Sequence, residues 1–337
     1  MRLMGYIVKR LLLLIPVLIG VSIIIFTLTR MTGDPAAAYI NDKMSQSQID
    51  QIYEKYHFDE PVINQYWYWV QGIVQGDWGW SKTAVQPVTT AIRDRVPVTM
   101  ELTIMSILIG VTIGVTLGTM TALRKDKVFD HTTRIVSLIG VSIPVFWLAL
   151  ILQYVFFYEL RLFPAGGLYS IAFIGKIPHI TGFIMIDSLL VGNIPLFINH
   201  LKHMLLPAIT LSFGVIAILI RIQRNSMLEV LNLDYVKTAR AKGLPEKKVI
   251  NKHARRNALI PTTTVIGLSF GGSLGGAVLT ESIFALPGLG RWSADSITRF
   301  DSTSVLGFVL FIAIVYVLVN LAVDVLYAYL DPRVRLE

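Results

Sequence analysis

Six stretches of the chain contain no Asp, Glu, Lys or Arg: 11–29, 102–123, 135–158, 203–220, 257–280 and 302–323. Crossing about 30 Å of hydrocarbon at ~1.5 Å per residue takes about 20 apolar residues, so each run approaches or exceeds the length of a span. A backbone in lipid must satisfy its own N–H and C=O groups, which leaves helices or closed barrels. Runs this long, with no polar alternation, select helices. The expected fold is therefore an all-α membrane protein with six transmembrane helices. Composition agrees, at 54% hydrophobic and 15% charged, where a soluble domain carries about 25% charged residues.

The first run is expected to remain as an uncleaved span. It is longer than the 7–15 apolar residues of a signal peptide, and Arg30 and Asp34 separate it from the alanines at 36–38 that could serve as a cleavage site. Segment 188–201 is uncharged but short, and Gly192, Asn193 and Pro195 interrupt it. It reads as an interfacial or re-entrant piece, not as a seventh span. Six spans put both termini, 124–134 and 221–256 on one side with nineteen Lys/Arg, against eleven on the other. The richer side is expected to be cytoplasmic. That distribution also explains the net charge of +8 without a nucleic-acid partner.

The basic segment 221–256 is the most polar part of the chain. Ten Lys/Arg stand there against Glu229, Asp234 and Glu246. Leu231, Tyr235, Thr238, Ala239 and Lys242 recur at helical spacing. Gly243 then occupies the place of a helix-ending glycine, and Pro245 that of an N1 proline opening the next helix, with Glu246 suited to the dipole of its first turn. That second helix is expected to run from Pro245 to about Leu259 and on into the fifth span. Thr238, Ala239, Ala241 and Gly243 leave the first helix thin on one stretch, as a groove-docking element requires. Anionic lipid would bind ten cations in any case; but lipid needs neither a Gly-Pro break nor a ridge of small residues.

"DYVKTARAKGL" followed by "HARRNALIP" resembles the cytoplasmic EAA loop of ABC-importer permeases, in the form found in the dipeptide/oligopeptide/nickel branch. "TGDPAAAYI", "GDWGWS", "RDRVPVTMELT", "LFPAGG", "TESIFALPGLGR" and "NLAVDVLYAYLDPRVR" are similar to that branch in the same order, and "TGFIMIDSLL" to dipeptide permeases in particular. Lys237 and Thr238 replace the Glu and first Ala of the general E-A-A-x-x-x-G pattern, while Ala239 and Gly243 fit it. The resemblance implies a type I ABC importer permease fold and makes the first short helix a coupling helix, set into a cleft of a separate ATPase subunit. The coupling positions it marks are Asp234, Tyr235, Thr238, Ala239, Arg240, Ala241, Lys242, Gly243, Leu244, Arg256 and Asn257. Implied partners are a second related permease, two ABC ATPase subunits, an external substrate-binding protein and membrane lipid. The implied cargo is di- or oligopeptides, with oligosaccharides or nickel as the alternatives, and an ion-coupled carrier as a rival of another class.

Three divisions are expected: 1–97, a first helix plus an external segment; 98–330, the transmembrane core with its loop 221–258; and a cytoplasmic tail, 331–337. No G-x-x-x-x-G-K-[ST] is present, so ATP and Mg are expected on the partners and no cofactor on this chain. Cysteine is absent, which removes thiol chemistry and thiolate metal sites. His200 and His203 read as an interfacial helix start. Glu101 and Asp324, near span ends, are expected to pair locally, Asp324 with the basic loop or with solvent. Pro144 and Pro207 are expected to kink or start spans, and Pro144 is also a candidate for the pathway or its gating. Gly271, Gly272, Gly275 and Gly276 thin the fifth span, for helix packing or as a wall of the pathway that the resemblance places there. Five of six tryptophans fall in external segments, as an aromatic belt or a surface for an external partner.

Overall fold

The computed structural model describes residues 3–32, 36, 39–40, 43–274 and 277–330. The tail 331–337, Gly275, Gly276 and the Asp324 side chain lie outside the described residues. The chain opens with α1 (Leu3–Thr32), α2 (Gln46–Lys55) and α3 (Val62–Gln75), then a minimal antiparallel hairpin of β1 (Trp80–Ser81) and β2 (Gln86–Pro87). There follow α4 (Val88–Leu123), α5 (Val128–Ser142), α6 (Val145–Gln153), α7 (Ile184–Leu190) and α8 (Ile194–Leu231). The basic segment holds α9 (Asp234–Ala241) and α10 (Glu246–Lys248), which passes through a π-helical turn, Val249–Ala254, into α11 (Arg255–Leu274). Last come α12 (Val278–Ile283), α13 (Leu289–Thr298) and α14 (Ser302–Leu330).

Among the described residues, α1, α4, α8 and α14 are each long and apolar enough to cross a membrane. The third uncharged run, expected as one span, is instead a bent pair. α5 meets α6 and its π-helical extension Tyr154–Glu159 at 101°. Pro144 causes the break: it has no N–H to donate back into α5, and it drives Ile143 to an extended conformation (φ −74°, ψ 125°). Pro207, by contrast, sits within α8 without ending it.

Three other expectations change. Residues 194–201 are not a separate re-entrant piece but the first two turns of α8, whose start is fixed by the Asn193 side chain accepting the Leu196 N–H at 3.1 Å. The fifth run is helical to Leu274, and its threonines and glycines leave α11 short of the apolar character of the four long spans. α11 packs against α4, α8 and α14, with Ala258, Thr262, Gly271 and Leu274 buried. The expected division at 97/98 falls inside α4, which runs unbroken through Pro97.

The centre of the bundle is the seam between α4 and α8. Gly110, Gly114 and Gly118 recur one turn apart on α4, and a Cβ at each would come within 2.7–2.8 Å of Val215, Leu219 and Gln223 of α8. Lipid offers no hydrophobic drive between helices, so close approach over small residues supplies the contact. At about 54 and 57 Å, α4 and α8 are longer than the hydrocarbon layer is thick and carry the seam beyond it at the ends. The seam predicts that Gly114→Leu lowers the thermal stability of the solubilised protein by about 1–3 kcal/mol or more. Gly214→Leu, on α8 where nothing lies within 4 Å, should leave it within about 0.5 kcal/mol; a detergent melting curve separates the two.

Candidate functional site

At the basic end of the bundle, α9 lies across the ends of α4, α8 and α11. Val236 and Ala239, three residues apart on one face, are buried together with Ala122 of α4, Met227 and Val230 of α8, Val249 and Ala254 of the π turn, and Ala258 of α11. Asp234, Tyr235, Lys237, Thr238, Arg240, Ala241, Lys242 and Gly243 remain exposed. The small-residue ridge therefore divides. Ala239, expected on the docking side, faces inward, and its small size is what lets α9 close on the bundle. Thr238 and Ala241 keep the outer face low.

The end of α9 is a full Schellman motif. The Leu244 N–H reaches the Ala239 carbonyl at 3.3 Å and the Gly243 N–H the Arg240 carbonyl at 2.9 Å. Gly243 takes φ +73°, which a side chain would strain. Pro245 is the N-cap of α10, one position earlier than expected. Arg240 then spans the turn, its Nη2 donating to Glu246 Oε1 at 2.7 Å and its Nε to Oε2 at 3.1 Å. The Arg240 guanidinium holds the Glu246 carboxyl below the usual carboxylate range. The latch is thus complete above the ordinary glutamate range and is lost as pH falls through the lowered value. The expected hinge at 243–245 is a braced elbow.

A second brace joins two of the sequence-marked positions. Asn257 Nδ2 donates to the Tyr235 hydroxyl at 2.7 Å, tying α9 to the first turn of α11. Arg256 is exposed beside it. Sequence reasoning missed the tie behind this surface: Gln223, fully buried, accepts from Thr262 Oγ1 at 2.7 Å and donates to Thr119 Oγ1 at 3.3 Å, linking α8, α11 and α4. It also missed the bidentate pair of Arg224 on buried Asp130, at 2.6 and 2.7 Å, which joins α8 to α5.

The pathway candidates scatter. Pro144 marks the α5–α6 break. Gly271 sits under Val319 and Tyr316 of α14, Gly272 faces open space, and Gly267 lies tight against Val323 of α14. At the opposite end, Glu101 pairs with His200 at 2.7 Å and accepts the Met185 N–H at 2.8 Å. His200 is completely buried, with its other ring nitrogen 2.7 Å from the Leu168 carbonyl. The tryptophans also divide. Trp292 and Trp78 pack in a cluster with Val88 and Leu289, Trp69 lies against Phe26, and Trp67 and Trp80 are exposed.

Residues 114–336 match the family described as binding-protein-dependent transport system inner membrane component, and residues 3–103 match its N-terminal companion, binding-protein-dependent transport system membrane component, N-terminal. The chain is 40% identical over 322 residues to the probable D,D-dipeptide transport system permease protein of Escherichia coli K12, covering 95% of this chain and 94% of that one. It is 39% identical to the dipeptide transport system permease protein of Alkalihalophilus pseudofirmus, over 98% of this chain and 99% of that one. The di/tripeptide transport system permease protein of Pseudomonas aeruginosa is likewise 39% identical, with 98% and 99% covered.

The inward placement of Ala239 predicts that Ala239→Glu, which buries an unpaired charge, costs about 3–5 kcal/mol and opens the basic segment to limited proteolysis. Ala241→Glu, on the exposed face, should leave the proteolytic pattern unchanged. Greater sensitivity at 241 than at 239 would place α9 the other way round.

Proposed function

The chain belongs to the family of binding-protein-dependent transport system inner membrane components, and from that premise we propose what it carries and how it is driven. It is a multi-pass inner-membrane permease subunit of a binding-protein-dependent ABC importer, with the type I permease fold. Permeases of this kind act as one component of a transport complex and are not themselves enzymes.

The proposed cargo is di- or oligopeptides, supported by the peptide permeases to which the chain is similar along its whole length. The proposed drive is ATP hydrolysis, with Mg, in two separate ATPase subunits, one docking on α9 and the other on a second, related permease. An external binding protein would deliver the peptide to the side opposite the basic end, with both termini cytoplasmic. What carries this reading is the two-faced character of α9. Its outer face offers Tyr235, Lys237, Thr238, Ala241 and Lys242, while its inner face is packed on α4, α8 and α11.

A stroke applied to the outer face then has nowhere to dissipate. Packed interiors resist compression and transmit displacement, and the Arg240–Glu246 and Tyr235–Asn257 bonds keep α9 from rotating against its neighbours. Closing of the ATPases would swing α8 and α11 together, alternating access to the pathway. Buried small contact surfaces of this sort lose about 1–2 kcal/mol or more per disrupted central residue.

In proteoliposomes bearing the whole complex, Thr238→Glu combined with Ala241→Glu should therefore cut uptake of a labelled dipeptide by about tenfold or more while the permease still inserts. Uncoupling of ATP hydrolysis from the external binding protein should accompany it. Undiminished uptake, or uptake that persists with no ATPase subunit present, would overturn the proposal in favour of an ion-coupled carrier.

A further inference from the structure

A cavity of about 510 Å³ opens between α5 and α8 at the basic end, separate from the outer face of α9. Its α5 wall includes Arg134, Ile135 and Leu138, and its α8 wall Ile220, Arg221 and Arg224. Arg134 is the last charge before the uncharged run 135–158, and Arg221 the first after the uncharged run 203–220. The two arginines thus mark the same boundary between apolar helix and water, on neighbouring helices, from opposite chain directions.

Neither guanidinium is held in an ion pair, although Arg134 lies close enough to Asp130 to act on it through space. Arg134 and Arg221 make no ion pair or hydrogen bond among the described residues, and both are exposed. The carboxylate at this groove, Asp130, is buried and taken up by Arg224 and by the Asp126 N–H. Asp130 and Arg224, which itself lines the groove, therefore pair with one another and leave Arg134 and Arg221 at the mouth without a direct counter-ion. Beyond that mouth the lining is mostly apolar: Ile135, Leu138 and Ile220, with Ser137 among them, lie on the membrane side of the arginines. α5 continues as an exposed apolar surface through Val136, Ile139 and Val141.

A cationic cup at headgroup level, with an apolar track leading away along the span, has the polarity of a phospholipid and not of a free anion. Basic pockets between transmembrane helices on the cytoplasmic side hold anionic headgroups in this way. We infer that the α5–α8 groove is a binding site for an anionic phospholipid, its phosphate between Arg134 and Arg221 and an acyl chain along Ile135 and Leu138. The site bridges α8, which carries α9, to the α5 arm of the bent pair, so an occupied groove would pin the bend to the moving helix. The inference holds for any permease with this basic end in contact with lipid and does not depend on peptide cargo.

The test uses the complete complex extracted in mild detergent, with native mass spectrometry of retained phosphatidylglycerol and cardiolipin. Arg134→Gln with Arg221→Gln should weaken retention of one anionic lipid by about 30-fold, roughly fivefold per arginine. Lys247→Gln with Lys248→Gln, the same charge loss in exposed α10, should retain it. In the unaltered complex, a phosphatidylglycerol bearing a photoreactive acyl chain should label α5 near Ile135 and Leu138, so the idea stays testable if the double variant does not assemble. Equal loss from both variants would reduce the effect to general surface charge and overturn the site. So would labelling confined to other helices, or loss of an ATPase subunit with the lipid retained, which would assign the groove to a protein contact.

Discussion

Helices in a bilayer are not driven together by water, so the whole arrangement rests on how closely α4 and α8 can approach. The three glycines of α4 allow side chains of α8 to sit directly on the α4 backbone, and dispersion along that seam replaces the missing hydrophobic drive. Polar ties then fix the register from one end to the other. Glu101 and His200 join the helices at one end, and Thr119, Gln223 and Thr262 add α11 near the basic end. Each is a buried polar contact whose partners would be costly to leave unsatisfied. Because the seam outreaches the hydrocarbon, its basic end becomes the platform on which α9 rests.

The consequence for transport is mechanical. α9 is only eight residues long, too short to be stable as an isolated helix, and owes its order to the Val236–Ala239 face buried in the bundle. Its connection onward is braced twice, by the Schellman turn with the Arg240–Glu246 pair and by the Asn257–Tyr235 bond. From Glu246 the chain stays helical through the π turn to Leu274, so the braced elbow after α9 leads directly into α11. The bent α5–α6 pair packs on α8, its α5 arm held through Asp130 and Arg224.

Much of this was legible in the residues. The uncharged runs gave the long helices because length and lack of charge leave lipid-spanning chain no other economical state. Gly243, Pro245 and Glu246 announced the α9–α10 turn, since only glycine takes φ +73° freely. What stayed hidden was which face of α9 looks inward: Thr238, Ala239 and Ala241 are all small, and only the packing of Met227, Val249 and Ala258 selects Ala239. Pro144 signalled a kink but not its 101° size, which depends on what α6 packs against. The glycines at 110, 114 and 118 sit inside an uncharged run, and only the packing of α8 on them marks the seam. The Glu101–His200 pair, 99 residues apart in the chain, carried no local signal at all.

The absence of cysteine from the chain permits the most direct examination of the central claim, that α9 offers its outer face to an ATPase while its inner face belongs to the bundle. Single substitutions Thr238→Cys, Lys242→Cys and Ala239→Cys would be probed by thiol cross-linking in the assembled complex, with and without nucleotide. The account predicts nucleotide-sensitive cross-links to an ATPase subunit from positions 238 and 242 and none from 239. Cross-links from 239 alone, or labelling of 242 by a membrane-impermeant thiol reagent outside intact cells, would contradict it.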